Sequence, residues 1–310
     1  IDCIVMFEEL FSHSGLSLDR LRSFLEMAEA GSIAKAAPGD VNRQSLISRQ
    51  IRELEEFFGS ELTVRRGKTL ALSPAGKRLA VLIREQFRDL LEFQQEQHQL
   101  MKSVSIGAGA SILEWLVIPA VAGVKAALGP VALALSSERS RDVVDGVRDG
   151  RLDFGIVRED AIPEALLRLP VRQVSFHLCV SKSLLGRRPA SDLDKPAFWK
   201  ELPFAANSGG GQLDRTFRQA MAEACGNFRP AFECSPLAQV RELVKQGACA
   251  GVLASVGSKG LEEHDVIVRQ FAPLKGYGRA LALHWNERQM RRRGIDERSI
   301  KQLAKALQGR

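Results

Sequence analysis

From residue 104 onward, short apolar runs alternate with segments of helical spacing, and no other feature of the chain narrows the fold as far. Residues 104–107, 131–135 and 154–157 read as strands, with helices over 112–128 and 141–149 between and around them. After a strand at 176–180 the pattern restarts. Strands at 204–206, 231–234 and 251–253 alternate with helices at 213–224 and 237–246. A last strand, 280–285, precedes an amphipathic helix at 299–307. Such alternation predicts parallel sheets with helices on both faces, and the restart predicts two similar lobes.

Ahead of these lobes the period is helical. Leu18, Leu21, Phe24, Leu25 and Ala28 fall on one stripe that Gly31 ends. Ser32 is placed to cap a short helix over 33–37, stopped by Pro38-Gly39. A third helix is expected over 44–58, with Leu46, Ile47, Ile51, Leu54 and Phe58 inward and Gly59 closing it. Residues 62–73 alternate weakly around Gly67, as a small β-hairpin does. Pro74 then opens a long helix over 75–101, with Leu79, Ile83, Phe87, Leu90 and Leu91 on one seam. A helix of that length has little to pack on in so small a head, so the seam is expected to meet a second copy. Residues 1–16 show no period and are expected to be a poorly ordered leader.

The 310 residues carry a formal net charge of +7, and the placement of that charge says more than its size. Arg43, Arg49 and Arg52 form one acid-free basic run. Arg65, Arg66, Lys68, Lys77 and Arg78 form a second. No stretch reaches the ~18–20 apolar residues of a membrane span. Asp2, Glu8 and Glu9 stand where a signal peptide is positive. A cytoplasmic chain without a membrane partner is the expectation. Cys3, Cys179, Cys225, Cys234 and Cys249 are odd in number and include no CxxC pair, against a disulfide framework or a structural zinc site.

Leu21-Arg22-Ser23-Phe24, Gly31-Ser32-Ile33, Ala36-Ala37, Gln44, Ser48, Ile51, Leu54-Glu55 and Gly59 stand at fixed spacings, continued by Arg65 and Leu72-Ser73-Pro74-Ala75-Gly76. In this the chain resembles the LysR-type transcription regulators, over roughly residues 18–79 and in the α/β order of the remainder. The resemblance implies an α/β protein overall. It has an all-α winged helix-turn-helix head, a long linker helix and a two-lobed, periplasmic-binding-protein-like effector domain. The implied boundaries are a leader at 1–16, the head at 17–76, the linker at 77–102 and the effector domain at 103–310. Lobe I takes 103–178 and 281–310, and lobe II takes 179–280. The chain departs from the pattern at Asp40 for a usual Leu, Arg43 for Ser, Ser45 for Pro and Thr63 for Phe. Cys249 replaces a Gly and Ala254 a Pro in the stretch 247–254.

In a helix-turn-helix the second helix enters the major groove with its N-terminal end leading. That assigns DNA contacts to Arg43, Gln44, Ser45, Ser48, Arg49 and Arg52, with Arg66 and Lys68 at the wing. Gln pairs with adenine and Arg with guanine, whereas Arg52, Arg66 and Lys68 are assigned to phosphate. Loops that open helices present free N–H groups and favour an anion. Ala110, Ser111, Ser137, Ser140, Ser208 and Gly209 are the candidates, with Arg158 to pair a carboxylate. The implied partners are double-stranded DNA, a small organic-acid effector, a homodimer or homotetramer, and RNA polymerase. No cofactor is implied.

Two other readings compete. Gly107-Ala108-Gly109 imitates a dinucleotide fingerprint, but Ile112 holds the third glycine position and one partial match is weak evidence for a nucleotide-cofactor enzyme. Cys225 and Cys234, close in sequence, suggest a redox-sensing regulator, against the default of buried structural cysteines.

Overall fold

The computed structural model describes residues 8–66, 69–98, 101–208 and 210–309. Two units emerge, Ile1–Met101 and Lys102–Arg310.

The first unit is helical with one hairpin. A short helix α1 (Glu8–Ser12) occupies part of the expected leader, whose residues 1–7 lie outside the described residues. Helix α2 (Leu18–Ala30) starts where the Ser17 hydroxyl accepts the Arg20 N–H at 3.3 Å and ends on left-handed Gly31. Helix α3 (Ile33–Ala36) is capped by Ser32. Helix α4 runs Val41–Phe58, three residues longer at its start than expected, because the Asp40 carboxylate accepts the Arg43 N–H at 2.9 Å. The residue that departs from the family pattern is therefore the helix cap. Phe24, Met27, Ile47, Ile51, Leu54, Leu62, Ala80 and Ile83 form the core. Leu46 and Phe58, expected inward, are instead 41% and 39% exposed.

Strands β1 (Thr63–Arg66) and β2 (Thr69–Leu72) pair antiparallel as the wing. Helix α5 (Pro74–Gln97) follows at once. Ser73 makes the join: its hydroxyl accepts the Gly76 N–H at 2.9 Å and donates to the Glu61 carbonyl at 2.6 Å. The expected seam on α5 divides. Leu79, Ile83 and Phe87 pack into the head core, while Leu90 and Leu91 are exposed together with Leu82 and Phe93.

The second unit holds two five-stranded sheets. The first is built from β3 (Lys102–Ala108), β4 (Val131–Ser137), β5 (Phe154–Arg158), β6 (Leu167–Val174) and β12 (Arg279–Trp285), in the order β4-β3-β5-β12-β6. The second is built from β7 (Phe176–Ser181), β8 (Phe204–Asn207), β9 (Phe232–Cys234), β10 (Ala250–Ala254) and β11 (Val266–Gln270), in the order β11-β7-β10-β8-β9. Both sheets are mixed rather than parallel: β12 runs antiparallel to β5 and β6, and β7 antiparallel to β10 and β11. The main helices are α6 (Val121–Leu128), α7 (Ser140–Arg148), α8 (Gln212–Cys225), α9 (Ala238–Lys245), α10 (Glu287–Arg292) and α11 (Glu297–Gln308).

The chain crosses from the first sheet to the second at Ser175, the one residue between β6 and β7, and returns between Gln270 and Arg279. The expected lobe boundary at 178–179 is thus displaced, since Leu178 and Cys179 both lie inside the second sheet. β7 pairs with β10 and β11 along its length, which leaves no free segment there to cross.

Period-two alternation sorts each sheet between two cores. In β12, Leu281, Leu283 and Trp285 face the core of α6 and α11, whereas Ala282 faces Val143, Val144 and Val147 of α7. In the second sheet, Phe176, Leu178 and Val180 face one core, and Cys179 the other.

His284, on the α7 face of β12, is fully buried, and neither ring nitrogen has a hydrogen-bond partner. Burial pushes its pKa down to about 4, and the approach of the Gly155 backbone opposes this without completing a bond. An unfolded His takes up its proton near pH ~6.5, so between that pH and about 4 only the unfolded chain is protonated. The neutral ring's contribution is intact above pH ~6.5 and is lost as pH falls, by up to ~3 kcal/mol. His284→Met is expected to flatten the fall in urea midpoint between pH 7 and pH 5. An unchanged slope would assign the acid sensitivity elsewhere.

Candidate DNA interface and effector cleft

Helix α4 is amphipathic. With Ile47, Ile51 and Leu54 buried, the opposite surface carries Asn42, Ser45, Leu46, Arg49 and Arg52, which line one shallow groove together with Glu53 and Glu56. Asn42, Ser45 and Arg49 follow at the i, i+3 and i+4 steps that share a helical face. Arg49 approaches Glu53 at 3.7 Å, and the Arg52 Nε donates to the Ser48 carbonyl at 3.4 Å. Ser48 is half-buried at the margin of this face.

Two expected contacts turn away from it. The Gln44 amide donates to the Ala37 carbonyl at 2.7 Å and the side chain is half-buried. The Arg43 guanidinium donates to Glu26 at 2.8 Å, and that bond holds the Glu26 carboxyl below its usual range. The helix begins at Val41 rather than Gln44, so its first turn presents Asn42, a residue the sequence reading passed over. Arg66 ends β1 with no side chain described, and Lys68 lies outside the described residues.

In the second unit the candidate effector residues stand at the carboxyl ends of strands, where ligands of open α/β sheets bind. Ala110 and Ser111 follow β3, Ser137 ends β4, Ser140 opens α7 and Arg158 ends β5. Because β4, β3 and β5 are neighbours, these loops share one edge, where the Glu138 N–H donates to the Ala108 carbonyl at 3.0 Å. The α7 cap is Arg139, which makes no side-chain cap bond. Ser208 leaves β8 in the second sheet. Its backbone N–H and hydroxyl both go to the Cys234 carbonyl, at 2.8 and 3.2 Å, so it anchors β9. Gly209 lies outside the described residues.

The carboxyl ends of the two sheets meet. After β3 the chain forms a π-helical turn, Leu113–Val117, that carries Trp115. The Trp115 ring packs on Gly257, in the turn after β10, so closely that a Cβ there would lie 2.3 Å from it. Arg241 of α9 fixes that turn from below, its Nε donating to the Gly257 carbonyl at 3.0 Å.

Arg158 is a weaker anion anchor than expected. Its Nε faces Asp160 at 3.2 Å. Beside it a groove of about 560 Å³ is lined by Glu159, Asp160 and Glu164 as well as Arg168 and Arg279. The partial glycine fingerprint has a packing explanation: a Cβ on Gly107 would lie 2.4 Å from the Leu152 side chain.

The two cysteines do not form a redox pair. Cys225, its Sγ 3.5 Å from the Pro196 carbonyl, packs with the core that faces α8, whereas Cys234 packs with the opposite core, against α9. The sheet lies between them. Burial raises both thiols above their usual range and pushes Cys179 and Cys249 up to about 12. A thiol so raised is a poor thiolate and an inert one.

Residues 18–77 match the family model of the bacterial regulatory helix-turn-helix protein, lysR family, and residues 97–297 match that of the LysR substrate binding domain. The chain belongs to the LysR family. This LysR-type chain is 25% identical over 295 residues to the HTH-type transcriptional regulator BbuR of Bordetella bronchiseptica, covering 91% of this chain and 88% of that protein. It is 28% identical over 157 residues to the HTH-type transcriptional regulator PecT of Dickeya dadantii, where the match spans 49% of this chain and only 50% of that protein. Among solved structures, a full-length OxyR variant from Pseudomonas aeruginosa has the same fold at 19% identity, with a TM-score of 0.61 and 96% of each chain covered. The LysR-type fold thus joins a DNA-binding head to a two-lobed α/β domain. Among the described residues no single helix is long and apolar enough to cross a membrane.

Proposed function

We propose that this LysR-type chain regulates transcription from the cytoplasm. It binds double-stranded DNA as a dimer or tetramer, contacts RNA polymerase there, and takes its signal from a small organic acid bound between the lobes. The observation that carries this reading is the exposed face of α4. Ser45, Arg49 and Arg52 stand there with no core residue among them, on a helix whose other side anchors the head. Arg66 and Lys68, from the second basic run, are assigned the phosphate contacts.

Pairing of copies is supported by α5. Leu82, Leu90, Leu91 and Phe93 are each more than half exposed on one helix, more apolar surface than a solvated helix carries without a partner. Effector binding is supported by the backbone donors after β3 and at the start of α7, with Arg158 at the end of the neighbouring strand β5 as the cation to pair a carboxylate.

Titrating the full chain against duplex DNA at several salt concentrations tests the first part. Affinity is expected to fall steeply with salt. Arg66→Ala should weaken all sequences alike and lower the slope by about one. A strictly monomeric chain with no salt-dependent DNA affinity would overturn the reading. A thermal-shift panel of small carboxylic acids tests the second part. An acid at about 100 times its dissociation constant should stabilise by about 2.7 kcal/mol. No shift from any acid removes the anionic effector and leaves the DNA reading standing.

A further inference from the structure

We propose that base-specific reading in this head is carried by Asn42 and Leu46, an adenine reader and a thymine-methyl reader, and not by Gln44. The proposal rests on the DNA-binding role argued above and names the residues and base groups that give it specificity.

The helix cap decides which residues lead. Asp40 starts α4 at Val41, which places Asn42 in the first turn of the helix, the end that leads into the groove. Asn42 is exposed, and it shares its groove with Ser45, Leu46, Arg49 and Arg52. A carboxamide in this position presents a donor and an acceptor together, the pair that matches N7 and N6 of adenine in the major groove. Gln44 has the same chemistry, but one of its amide donors is taken within the head by the Ala37 carbonyl at 2.7 Å and its side chain is half-buried. Arg43 is similarly committed to Glu26.

Leu46 lies one turn after Asn42, at i+4 on the same side. It is 41% exposed on a helix whose other branched aliphatic residues Ile47, Ile51 and Leu54 are buried, and it is not among the residues of the head core. A leucine displayed on an otherwise polar DNA-facing surface leaves a large part of its side chain open to solvent in the free head. The one apolar group on the base edges of the major groove is the thymine C5-methyl. Asn42 and Leu46 are adjacent along one face, so the bases they read are adjacent too. The half-site should contain an adenine and, one or two positions away, a thymine whose methyl group is bound.

Glu53 and Glu56 set the far limit of this surface. They line the same groove toward the C-terminal end of α4, where Glu53 is held by Arg20 and Arg49.

The test is selection by the full-length protein from a randomised duplex library, followed by affinity measurements on the selected site with single-atom changes. Replacing the adenine with 7-deaza-adenine should weaken wild-type binding about tenfold, within the range of one bidentate base contact, and should leave Asn42→Ala unaffected. Replacing the thymine with uracil, which lacks only the methyl, should weaken wild type and not Leu46→Ala. Gln44→Ala should select the same site as wild type. If Gln44→Ala loses the adenine preference while Asn42→Ala keeps it, the assignment is overturned and DNA binding stands. If Leu46→Ala still distinguishes thymine from uracil, the methyl contact is overturned alone. If wild type selects no site at all, the DNA-binding reading fails and takes this one with it. Circular dichroism of the three variants, all at positions outside the head core, checks that each remains folded.

Discussion

Asp153→Ala is expected to remove about 3–5 kcal/mol from the stability of the two-lobed unit, enough to leave it partly unfolded at 37 °C. Asp153 is 1% exposed just ahead of β5, and Arg293, 8% exposed, pairs with it through Nη1. The carboxylate also accepts the Ser105 N–H at 2.8 Å, the Ser105 hydroxyl at 3.0 Å and the Gln289 amide at 2.6 Å. It therefore ties β3, β5 and α10 at one point. Removing the acid strands a guanidinium in the interior, and an uncompensated buried charge costs far more than the pair contributes. The control follows from the same logic. Arg293→Met combined with Asp153→Asn keeps an acceptor for Ser105 and leaves no charge behind, and it should recover more than half of the loss. Urea unfolding of the full chain reads both. A loss below ~1 kcal/mol in Asp153→Ala would show that packing of α10, and not this network, holds α10 against β3 and β5.

That network was invisible in the sequence for a plain reason. Asp153, Ser105 and Gln289 meet across long separations, and nothing local marks them as partners. The elements themselves were more legible. Helices with caps and closing glycines, such as α2 between Ser17 and Gly31, stand close to where their periodicity puts them. Strands of the two central sheets announced themselves as apolar runs because both faces are covered. Of the two strands not foreseen, β6 and β11, β6 has Pro170 in its middle and Arg168 and Arg172 in alternation, a pattern that argues against a central strand. It lies at the sheet edge, and its register with β12 shifts between Leu281 and Ala282, where the proline falls. The first sheet is mixed because β12, a strand the sequence did show, runs antiparallel to both β5 and β6, and periodicity does not reveal a strand's direction.

At the candidate sites the sequence supplied the right helix and a partly wrong face. Spacing alone placed Gln44 at the helix start, and only the Asp40 cap moves that start to Val41. Arg43 was assigned to DNA from its place at the leading end of the second helix, in a basic run that reaches to Arg52. Its partner Glu26 comes from α2, through the crossing of two helices. The cysteines fail in the same way: the few residues between Cys225 and Cys234 hide the sheet that separates them.

The resemblance around residues 72–76 was legible as a motif, and the structure supplies its cause and a severe prediction. Ser73 caps α5, Pro74 occupies the first helical position where no N–H is required, and Gly76 brings the helix against the chain entering the wing. A Cβ on Gly76 would lie 2.0 Å from the Leu62 carbonyl oxygen and 2.9 Å from its carbon. The obstacle is backbone, so no rotamer change relieves it, and the Ser73 N–H is already bonded to that carbonyl at 3.0 Å. Gly76→Ala must therefore push α5 away from β1 or break the Ser73 bond. Leu62, Ala80 and Ile83 belong to the same core as Ile47 and Ile51 of α4, so the displacement reaches the DNA-reading helix. The expected loss is about 3 kcal/mol, at the upper end for overpacking, with DNA binding lost at 37 °C and the unfolding of the two-lobed unit unchanged. Ala75→Gly, one position earlier, removes a methyl without such an obstacle and should lower stability by no more than ~1 kcal/mol. Differential scanning calorimetry that resolves the two units distinguishes these outcomes. A Gly76→Ala protein that binds DNA normally at 37 °C would mean that the approach of α5 to Leu62 is looser in solution than the structure has it.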